Sequence, residues 1–497
     1  MPDSILSRFM RGILSTGFAR FMTLGLGMLS LMLVIRHISA EAYGAFVLIR
    51  VIYLFLAEVS NFGLTLVIPK YLASSEDVQY KFRLINTVIY FRVLTILVLA
   101  PVMFMVKPGL VAHFGSSPFL LSFYIYIPVL FGLESLARTL NSILQGLFLF
   151  RMIGIINAIS AISYLIATIV FVFPLNLSTL GLIYAVFVSN TLVIISGYIA
   201  AHIKDKRGVN LLILKEMLIF GFPLQMQYML AFVFARIDTL VIGSFVGTAG
   251  VALYEVARKL PDSFMCLYDA FRSVYYPFIA KFHADGERER VLKLLNNSNR
   301  MFAILTSFGA LVAVLFGKEI ISLLFSQAYL PSYYPFVALM FGLNLLVLDC
   351  TLGYTLVAIG EPNKPLIVNL VRAIISLLLN LVITPIFSFT GASVVSVVSN
   401  LTAAPLDVYF LWKKNVRAEM AAFLKPVVIS GGYGLLFLLL GTSLFPIKVL
   451  FVFLFILTCL LMSVITREDW RVVLAEAKTA RNRLLRKEIV GSHKVVK

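Results

Sequence analysis

Apolar residues in this chain are grouped into long runs, and short polar breaks separate one run from the next. A helix that crosses a membrane needs about 20 mostly apolar residues, and fourteen runs reach that length. Proline, glycine and charge mark the breaks, as at Lys107-Pro108-Gly109. The runs predict helices, numbered here as spans 1 to 14, at residues 12–35, 44–67, 84–106, 118–137, 148–173, 178–200, 218–244, 250–276, 301–325, 336–358, 365–387, 390–412, 424–443 and 446–465.

The fourteen spans predict an all-α polytopic membrane protein. Of the 497 residues, 60% are hydrophobic and 13% are charged, whereas soluble domains average about 45–50% apolar residues. This composition excludes soluble globular folds and disordered chains. The first run, 12–35, is too long for the apolar core of a signal peptide. We expect no large soluble domain, because the longest interior polar stretch is 281–299.

Lysine and arginine alternate between dense and sparse loops. If the N-terminus is cytoplasmic, the inner loops and the tail carry most of the 42 basic residues. The outer loops carry few, namely Arg36, Lys107, Lys318 and Lys448. Because cytoplasmic loops are enriched in Lys and Arg, this pattern predicts that both termini are cytoplasmic. Much of the net charge of +18 therefore sets topology, and the basic tail is expected to contact anionic lipid headgroups.

An internal repeat relates the two halves of the chain. The segment FARFMTLGLG at 18–27 shares six of its ten positions with FARIDTLVIG at 234–243. Six spans separate the two copies, so both halves point the same way across the membrane, as in a parallel repeat. Chance similarity between two apolar segments is the alternative. The predicted domains are an N-lobe at 1–207, a C-lobe at 208–417, spans 13 and 14 at 418–466, and a cytoplasmic basic tail at 467–497.

Charged residues inside the spans are costly, so each needs a partner or a water-filled cavity. The candidates are Arg20, Arg50, Glu58, Arg92, Arg236, Asp238, Glu255, Arg258, Asp269, Arg272, Asp349, Arg372 and Asp407. Spacing of i,i+3 allows Glu255 to pair with Arg258, and Asp269 with Arg272. These pairs are either structural or functional. Asp407 lies near an inner span end and is predicted to be interfacial.

Four arginines, Arg20, Arg50, Arg92 and Arg236, have no acid three or four residues away. An acid on another helix could pair with one of them, and Glu58 is such an acid. Because more cations than anions remain, we expect at least one of these arginines to face a hydrated cavity. Such a cavity suits an anion, above all a phosphate or pyrophosphate that guanidinium groups bind through two hydrogen bonds.

Asp238 follows Arg236 by two residues, which places the two side chains about 200° apart on a helix. If Arg236 faces the space between the halves, Asp238 faces the second bundle. A buried carboxylate there could bind a cation or exchange a proton. An ion pair with Arg372 is the alternative.

The chain lacks the motifs of soluble catalysis. It has no phosphate-binding loop ending in Lys-Ser or Lys-Thr, and its His and Cys residues show no metal-ligand spacing. Its three cysteines lie in apolar runs, as buried hydrophobes do. We therefore predict a transporter rather than an enzyme, with no cofactor and no nucleic-acid partner.

Several stretches resemble the polysaccharide-transporter family, which includes O-antigen and exopolysaccharide flippases of the multidrug/oligosaccharidyl-lipid/polysaccharide flippase superfamily. They are RHISAEAYGAF at 36–46, NFGL at 61–64, KYLA at 70–73, FGFPL at 220–224, RIDTLVIG at 236–243, ALYEVARK at 252–259 and, more weakly, LLFSQAY at 323–329. Fourteen spans also match the family. The resemblance implies two six-helix lobes around a V-shaped cavity lined by spans 1, 2, 7 and 8.

The resemblance also implies a function. The cargo would be an oligosaccharide on a polyprenyl-pyrophosphate carrier, moved from the inner to the outer leaflet of a bacterial inner membrane by alternating access. The substrate-binding residues carried over are Arg20, Arg50, Arg236 and Arg258, with Arg92 as an addition.

Energy coupling is implied in the same way, with sodium ions or protons as the coupling ion. Asp238 is placed for an ion site like that of the lipid II flippases, and Glu58 is the second ion-coupling candidate. Partners for Asp238 are expected among Asn369, Asn380 and Ser393.

Two other functions stay open. A cation-coupled drug or metabolite antiporter of the same superfamily is the first alternative, and a membrane polysaccharide polymerase is a weaker one. Expected partners are membrane lipids, the lipid-linked glycan, and the polysaccharide polymerase and assembly machinery.

Overall fold

The computed structural model describes residues 22–114, 122–201, 208–441, 444–462 and 464. In this part of the chain the regular structure is helical, without strands. Two short 3-10 segments, Tyr124–Tyr126 and Gln327–Ser332, precede α5 and α11. The helices are α1 Met22–Ile35, α2 Ala40–Val59, α3 Leu64–Ala73, α4 Val78–Phe114, α5 Ile127–Gly146, α6 Phe150–Val172, α7 Ser178–Ala200, α8 Leu211–Phe245, α9 Thr248–Ala284, α10 Arg288–Leu324, α11 Tyr333–Ala358, α12 Asn363–Lys413, α13 Met420–Leu440 and α14 Phe445–Leu461.

The protein is a multi-pass membrane protein. Among the described residues, nine helices are long and apolar enough to cross a membrane, and α1, α3 and α14 are shorter apolar helices. The 51 residues of α12 are two helices joined at Ser388, whose φ of 58° interrupts the helical backbone. Helix α12 thus covers predicted spans 11 and 12. The count of fourteen spans stays a prediction.

Each half of the chain packs mainly on itself. In the N-terminal half α6 lies against α7, and α5 contacts α2, α3, α4 and α7. In the C-terminal half α11 lies against α9, α10 and α12, and α8 lies against α12. Helix α13 packs on α10, and α14 packs on α13 and α10. The domain boundaries stay predictions, as does everything predicted for the tail, which lies outside the described residues.

The two halves meet mainly through α2, which contacts α8 and α9, while α3 and α4 also contact α8. Glycine allows the closest approaches. A Cβ atom on Gly44, near the start of α2, would lie 1.7 Å from the carbonyl oxygen of Thr248. One on Gly63, just past the end of α2 and with φ of +80°, would lie 2.1 Å from the carbonyl oxygen of Gly221. Backbone therefore meets backbone near both ends of α2.

Replacing Gly44 with alanine should destabilise the protein, because the added methyl group cannot fit unless α2 moves away from α9. Overpacking of this kind costs about 1–3 kcal/mol. The measurement is thermal unfolding of the purified protein in detergent. Gly432→Ala in α13, where a Cβ meets nothing within 4 Å, is the matched control and should be neutral or stabilising. Equal unfolding temperatures for the two variants would contradict the close contact.

Candidate functional site

Arg50 is an exposed residue within a buried stretch of α2. Residues 42–49 and 51–53 are buried, whereas Arg50 is exposed. It lies within electrostatic range of Glu255 on α9, in the other half of the chain. Because α2 contacts both α8 and α9, Arg50 faces an internal opening where these three helices meet.

Charged side chains from α2, α8 and α9 gather at this opening. We call the set the junction cluster. Its members are Arg50, Arg236, Glu255, Arg258, Lys259 and Asp262. The first comes from the N-terminal half and the others from the C-terminal half, so the cluster exists only where the halves touch.

Two ion pairs lie within the junction cluster. Nη1 of Arg236 is 3.6 Å from Oε2 of Glu255, and no described residue donates a hydrogen bond to that oxygen. Nε of Arg258 donates to Oδ2 of Asp262 at 3.0 Å, and its Nη1 donates to the carbonyl oxygen of Ala235 at 3.2 Å. The contact of Arg236 with Glu255 is thus electrostatic, whereas Arg258 is held by hydrogen bonds.

The junction cluster has four basic and two acidic groups, which leaves two positive charges in excess. Arg50 and Lys259 have no ion-pair partner within the described part of the chain. Guanidinium and ammonium groups with spare donors in a partly desolvated site bind anions, and arginine favours phosphate geometry. The chemistry of the cluster therefore suits an anion with about two negative charges.

The predicted arginines do not all lie together. Arg50, Arg236 and Arg258 are in the junction cluster, whereas Arg20 lies outside the described residues. Lys259 was not among the sequence candidates. The available signal was its spacing, since Lys259 follows Glu255 by four residues and precedes Asp262 by three.

The predicted pair of Glu255 with Arg258 is confirmed only as an electrostatic contact, because the hydrogen-bonded ion pair of Arg258 is with Asp262. Arg236 from α8 approaches Glu255, and Arg258 binds Asp262 one turn further along α9. Both i,i+3 and i,i+4 neighbours share a helix face, so the spacing could not choose between the two acids. The other predicted pair, Asp269 with Arg272, is confirmed at 3.4 Å.

Arg92 lies on α4, is 1% exposed, and binds neutral oxygens. It donates to the carbonyl oxygen of Ser60 at 2.8 Å, to Oδ1 of Asn61 at 2.9 Å and to Oγ1 of Thr139 at 3.0 Å. Ser60 ends α2, so Arg92 satisfies a carbonyl group that the helix itself leaves unpaired. In the described structure Arg92 secures the α2–α3 break and is not part of the junction cluster.

Glu58 pairs with none of the three described arginines that lack nearby acids. It binds Arg138 of α5, whose Nε also binds Oε1 of Glu134 at 2.7 Å. Asn190 of α7 donates to the other oxygen of Glu134 at 3.2 Å. Glu58 thus belongs to a network within the N-terminal half, and its predicted role in ion coupling stays a prediction.

Asp238 is buried in the C-terminal half, as the helical-face argument predicts. Its carboxylate accepts hydrogen bonds from Tyr254 at 2.6 Å, Ser396 at 2.7 Å and Asn380 at 2.8 Å. The alternative pairing with Arg372 is wrong, because Arg372 binds Asp349 instead. Three neutral side chains therefore donate to the Asp238 carboxylate.

Only one of the three expected partners contacts Asp238. Asn380 does so, whereas Asn369 accepts a hydrogen bond from Arg372 and Ser393 donates to the carbonyl oxygen of Thr390. The serine that does contact Asp238 is Ser396, which the sequence analysis missed. It lies in the same predicted span as Ser393, one helical turn later.

A cavity of about 260 Å³ adjoins Asp238. Its walls include Arg258 and Asp262 of the junction cluster and the polar residues Ser376 and Asn400. The cavity thus joins the carboxylate of Asp238 to the side of the junction cluster.

Asp407 is not interfacial, which corrects the prediction. It is 1% exposed and lies beside Asp349. Six residues separate Asp407 from Lys413, about 240° around a helix. The two side chains therefore point in different directions although they are near in sequence.

Comparison with known proteins assigns the family. Residues 33–334 match the model of a family described as polysaccharide biosynthesis protein. The chain belongs to this family. The family resemblance predicted from the sequence is thus confirmed.

Two relatives come from Haloferax volcanii. The probable low-salt glycan biosynthesis flippase Agl15 is 23% identical over 181 residues, and the probable flippase AglR is 24% identical over 187 residues. Each match covers 36% of this chain and 38% of the relative. The chain therefore matches less than two thirds of the length of these relatives.

Solved structures show the fold. The lipid II flippase MurJ in an inward closed conformation superposes with a TM-score of 0.72 at 16% identity, covering 93% of this chain and 99% of MurJ. An inward-facing multidrug resistance MATE transporter of the MOP superfamily superposes with a TM-score of 0.67 at 14% identity, covering 79% and 94%. The family member described here thus has the all-helical transporter fold of MurJ and MATE proteins.

Replacing Arg92 with methionine should destabilise the protein strongly. The change leaves buried oxygens of Ser60, Asn61 and Thr139 without their donor, and each such loss costs about 1–3 kcal/mol. Unfolding of the purified protein measures the effect. Arg83→Met, at an exposed position of the same helix α4, is the matched control and should change little. Similar stability of the two variants would show that Arg92 does not hold the α2–α3 break.

Proposed function

We propose that the protein is a flippase that moves a polyprenyl-pyrophosphate-linked oligosaccharide from the inner to the outer leaflet. The cargo is an O-antigen or exopolysaccharide repeat unit, and the membrane is a bacterial inner membrane with both termini of the protein cytoplasmic. The observation that supports this most is the junction cluster, a cation-rich site where the two halves meet. The protein acts as a transporter and not as an enzyme.

Charge matching supports a pyrophosphate. A pyrophosphate diester carries two negative charges, which equals the excess of two positive charges in the junction cluster when Asp238, whose charge also acts on Arg258, is counted apart. A neutral assembly is favoured inside a membrane, where an uncompensated charge is costly. Arg50, Arg236 and Arg258 each provide a planar fork of donors for phosphate oxygens. Lys259 adds a fourth positive charge within electrostatic range of Arg50 and Arg236.

Alternating access requires that the contacts at the two ends of α2 open in turn. At one end, Gln225 of α8 accepts hydrogen bonds from Asn61 at 3.0 Å and from the Gly63 amide at 3.1 Å. It also donates to the carbonyl oxygen of Glu58 at 2.7 Å. At the other end, Gly44 packs on Thr248. Rocking of the halves breaks the contacts at one end of α2 while it keeps those at the other end. The lipid tail of the cargo stays in the bilayer throughout.

An ion gradient supplies the energy in this proposal, and Asp238 binds the coupling cation, sodium or a proton. Its donors, Tyr254, Asn380 and Ser396, would turn from the carboxylate as the cation takes their place. The cavity that Asp238 shares with Arg258 and Asp262 brings the ion site close to the cargo site. Partners of the working protein are membrane lipids and the polysaccharide polymerase and assembly machinery.

A cation-coupled drug or metabolite antiporter is the second candidate function. The similarity to a MATE transporter favours it. A site for cationic drugs needs an excess of acids, however, and the junction cluster has an excess of bases.

Deletion of the gene should stop export of the glycan, and completed lipid-linked units should accumulate on the cytoplasmic side. In the deletion strain, Arg236→Ala and Lys259→Ala should reduce export at least about tenfold, since each removes charged hydrogen bonds to the cargo. Lys215→Ala, at an exposed position of α8, should restore export fully.

Protein amounts in the membrane must be equal for this comparison, because Arg236→Ala also frees Glu255. Lys259 has no ion-pair partner in the described chain, so its variant tests cargo binding directly. Normal glycan export in the deletion strain would refute the flippase, and full activity of Lys259→Ala would remove this residue from the site.

Asp238→Asn should abolish the dependence of transport on the sodium or proton gradient. The amide of asparagine is neutral, so it neither gains and loses a proton nor offers a negative charge to a sodium ion. Export by cells is measured while the sodium concentration and the external pH are varied separately. Asp269→Asn, which alters a half-exposed acid paired with Arg272, is the control and should keep the wild-type dependence. An unchanged ion response in Asp238→Asn would exclude it as the coupling site.

A further inference from the structure

A second group of buried charges lies between α11 and α12, apart from Asp238 and the junction cluster. Asp349 comes from α11, and Arg372 and Asp407 come from α12. They are 5%, 7% and 1% exposed, respectively. Two acids and one base are thus enclosed within the C-terminal half.

Arg372 is committed to one of the two acids. Its Nη1 donates to Oδ2 of Asp349, and its Nη2 donates to Oδ1 of Asn369. The guanidinium also lies 4.4 Å from the ring of Phe234 on α8, which closes that side with an apolar group. Arg372 therefore neutralises Asp349.

Asp407 has no such partner. No described residue donates a hydrogen bond to its Oδ1. Its carboxyl group is instead within hydrogen-bonding reach of Asp349, and its Oδ2 lies over Gly353, one turn along α11. Two carboxylates with no hydrogen between them repel each other, and a shared hydrogen makes the same contact attractive.

The surrounding titratable groups do not supply the missing positive charge. On α9, Arg272 pairs with Asp269 at 3.4 Å and also contacts Tyr354 of α11. Cys350 is adjacent on α11 and is neutral as a thiol. With both aspartates ionised, the group carries one negative charge in a region from which water is largely excluded.

We propose that Asp349 and Asp407 share one bound proton and form a proton-binding site distinct from Asp238. The proton makes the group neutral and supplies the donor that Asp407 lacks. A metal cation needs several oxygen ligands around it, whereas these two carboxyl groups approach closely enough for a hydrogen atom between them. Because the acids lie on different helices, separation of α11 from α12 would release the proton. The site goes beyond the proposed function, since a bound proton is measurable without knowledge of the cargo.

Infrared difference spectroscopy of the full-length protein in lipid tests this site. The wild-type protein should show the carbonyl band of a protonated carboxyl group near neutral pH, and the band should vanish as the buffer becomes alkaline. Asp407→Asn, a neutral residue of the same shape, should remove the band. Glu361→Gln should keep it, because the ion pair with Lys414 holds the pKa of Glu361 below its usual value.

Thermal unfolding gives a second readout. Loss of the proton leaves a net negative charge inside the protein, so the unfolding temperature of the wild type should fall as the pH rises through that titration. Asp407→Asn should lack this fall. A wild-type protein without the band, or a band that persists in both Asp407→Asn and Asp349→Asn, would overturn the proposal. Stability that depends on sodium rather than on pH would assign the pair to a metal cation and overturn it as well.

Discussion

The contact of α2 with α8 and α9 is the constraint on which the rest of the structure depends. Inside a membrane, lipid is as apolar as the helices, so close backbone packing holds helices together. Gly44 and Gly63 allow this packing against Thr248 and Gly221. Because α2 is held at both ends, Arg50 in its middle is presented to Glu255 and the other charges of α9. The junction cluster is thus a consequence of how the halves pack.

The second constraint is the cost of charge in an apolar medium, and it separates arginines with partners in their own half from those at the junction of the halves. Arg92 is enclosed by neutral oxygens, Arg138 by Glu58 and Glu134, and Arg372 by Asp349 and Asn369. These side chains are committed to partners within one half of the chain. Arg50 and Lys259, by contrast, have no ion-pair partner in the described chain, and this surplus of positive charge supports the proposed binding of an anion at the junction cluster.

The sequence predicted those features that depend on a single helix. Apolar run lengths located the helices, and the 200° between Arg236 and Asp238 correctly placed one toward the junction and the other inside the C-terminal half. Contacts between helices were beyond this reasoning. The pairing of Glu58 with Arg138, the contact of Asp407 with Asp349 and the choice of Asp262 by Arg258 depend on how helices rotate against each other, which spacing along one helix does not specify.

Helix α9 links the proposed cargo and ion sites through one short segment. Tyr254 donates to Asp238, and Arg258, one turn later, lies with its guanidinium 5.9 Å from the Tyr254 ring. A cation at Asp238 would take the oxygen to which the Tyr254 hydroxyl donates. If the Tyr254 ring then moved, its contact with the Arg258 guanidinium would change. An anion that draws Arg258 away from Asp262 would act on the same ring from the other side. Since such coupling is reciprocal, cargo and ion can each influence the binding of the other through this one turn of α9.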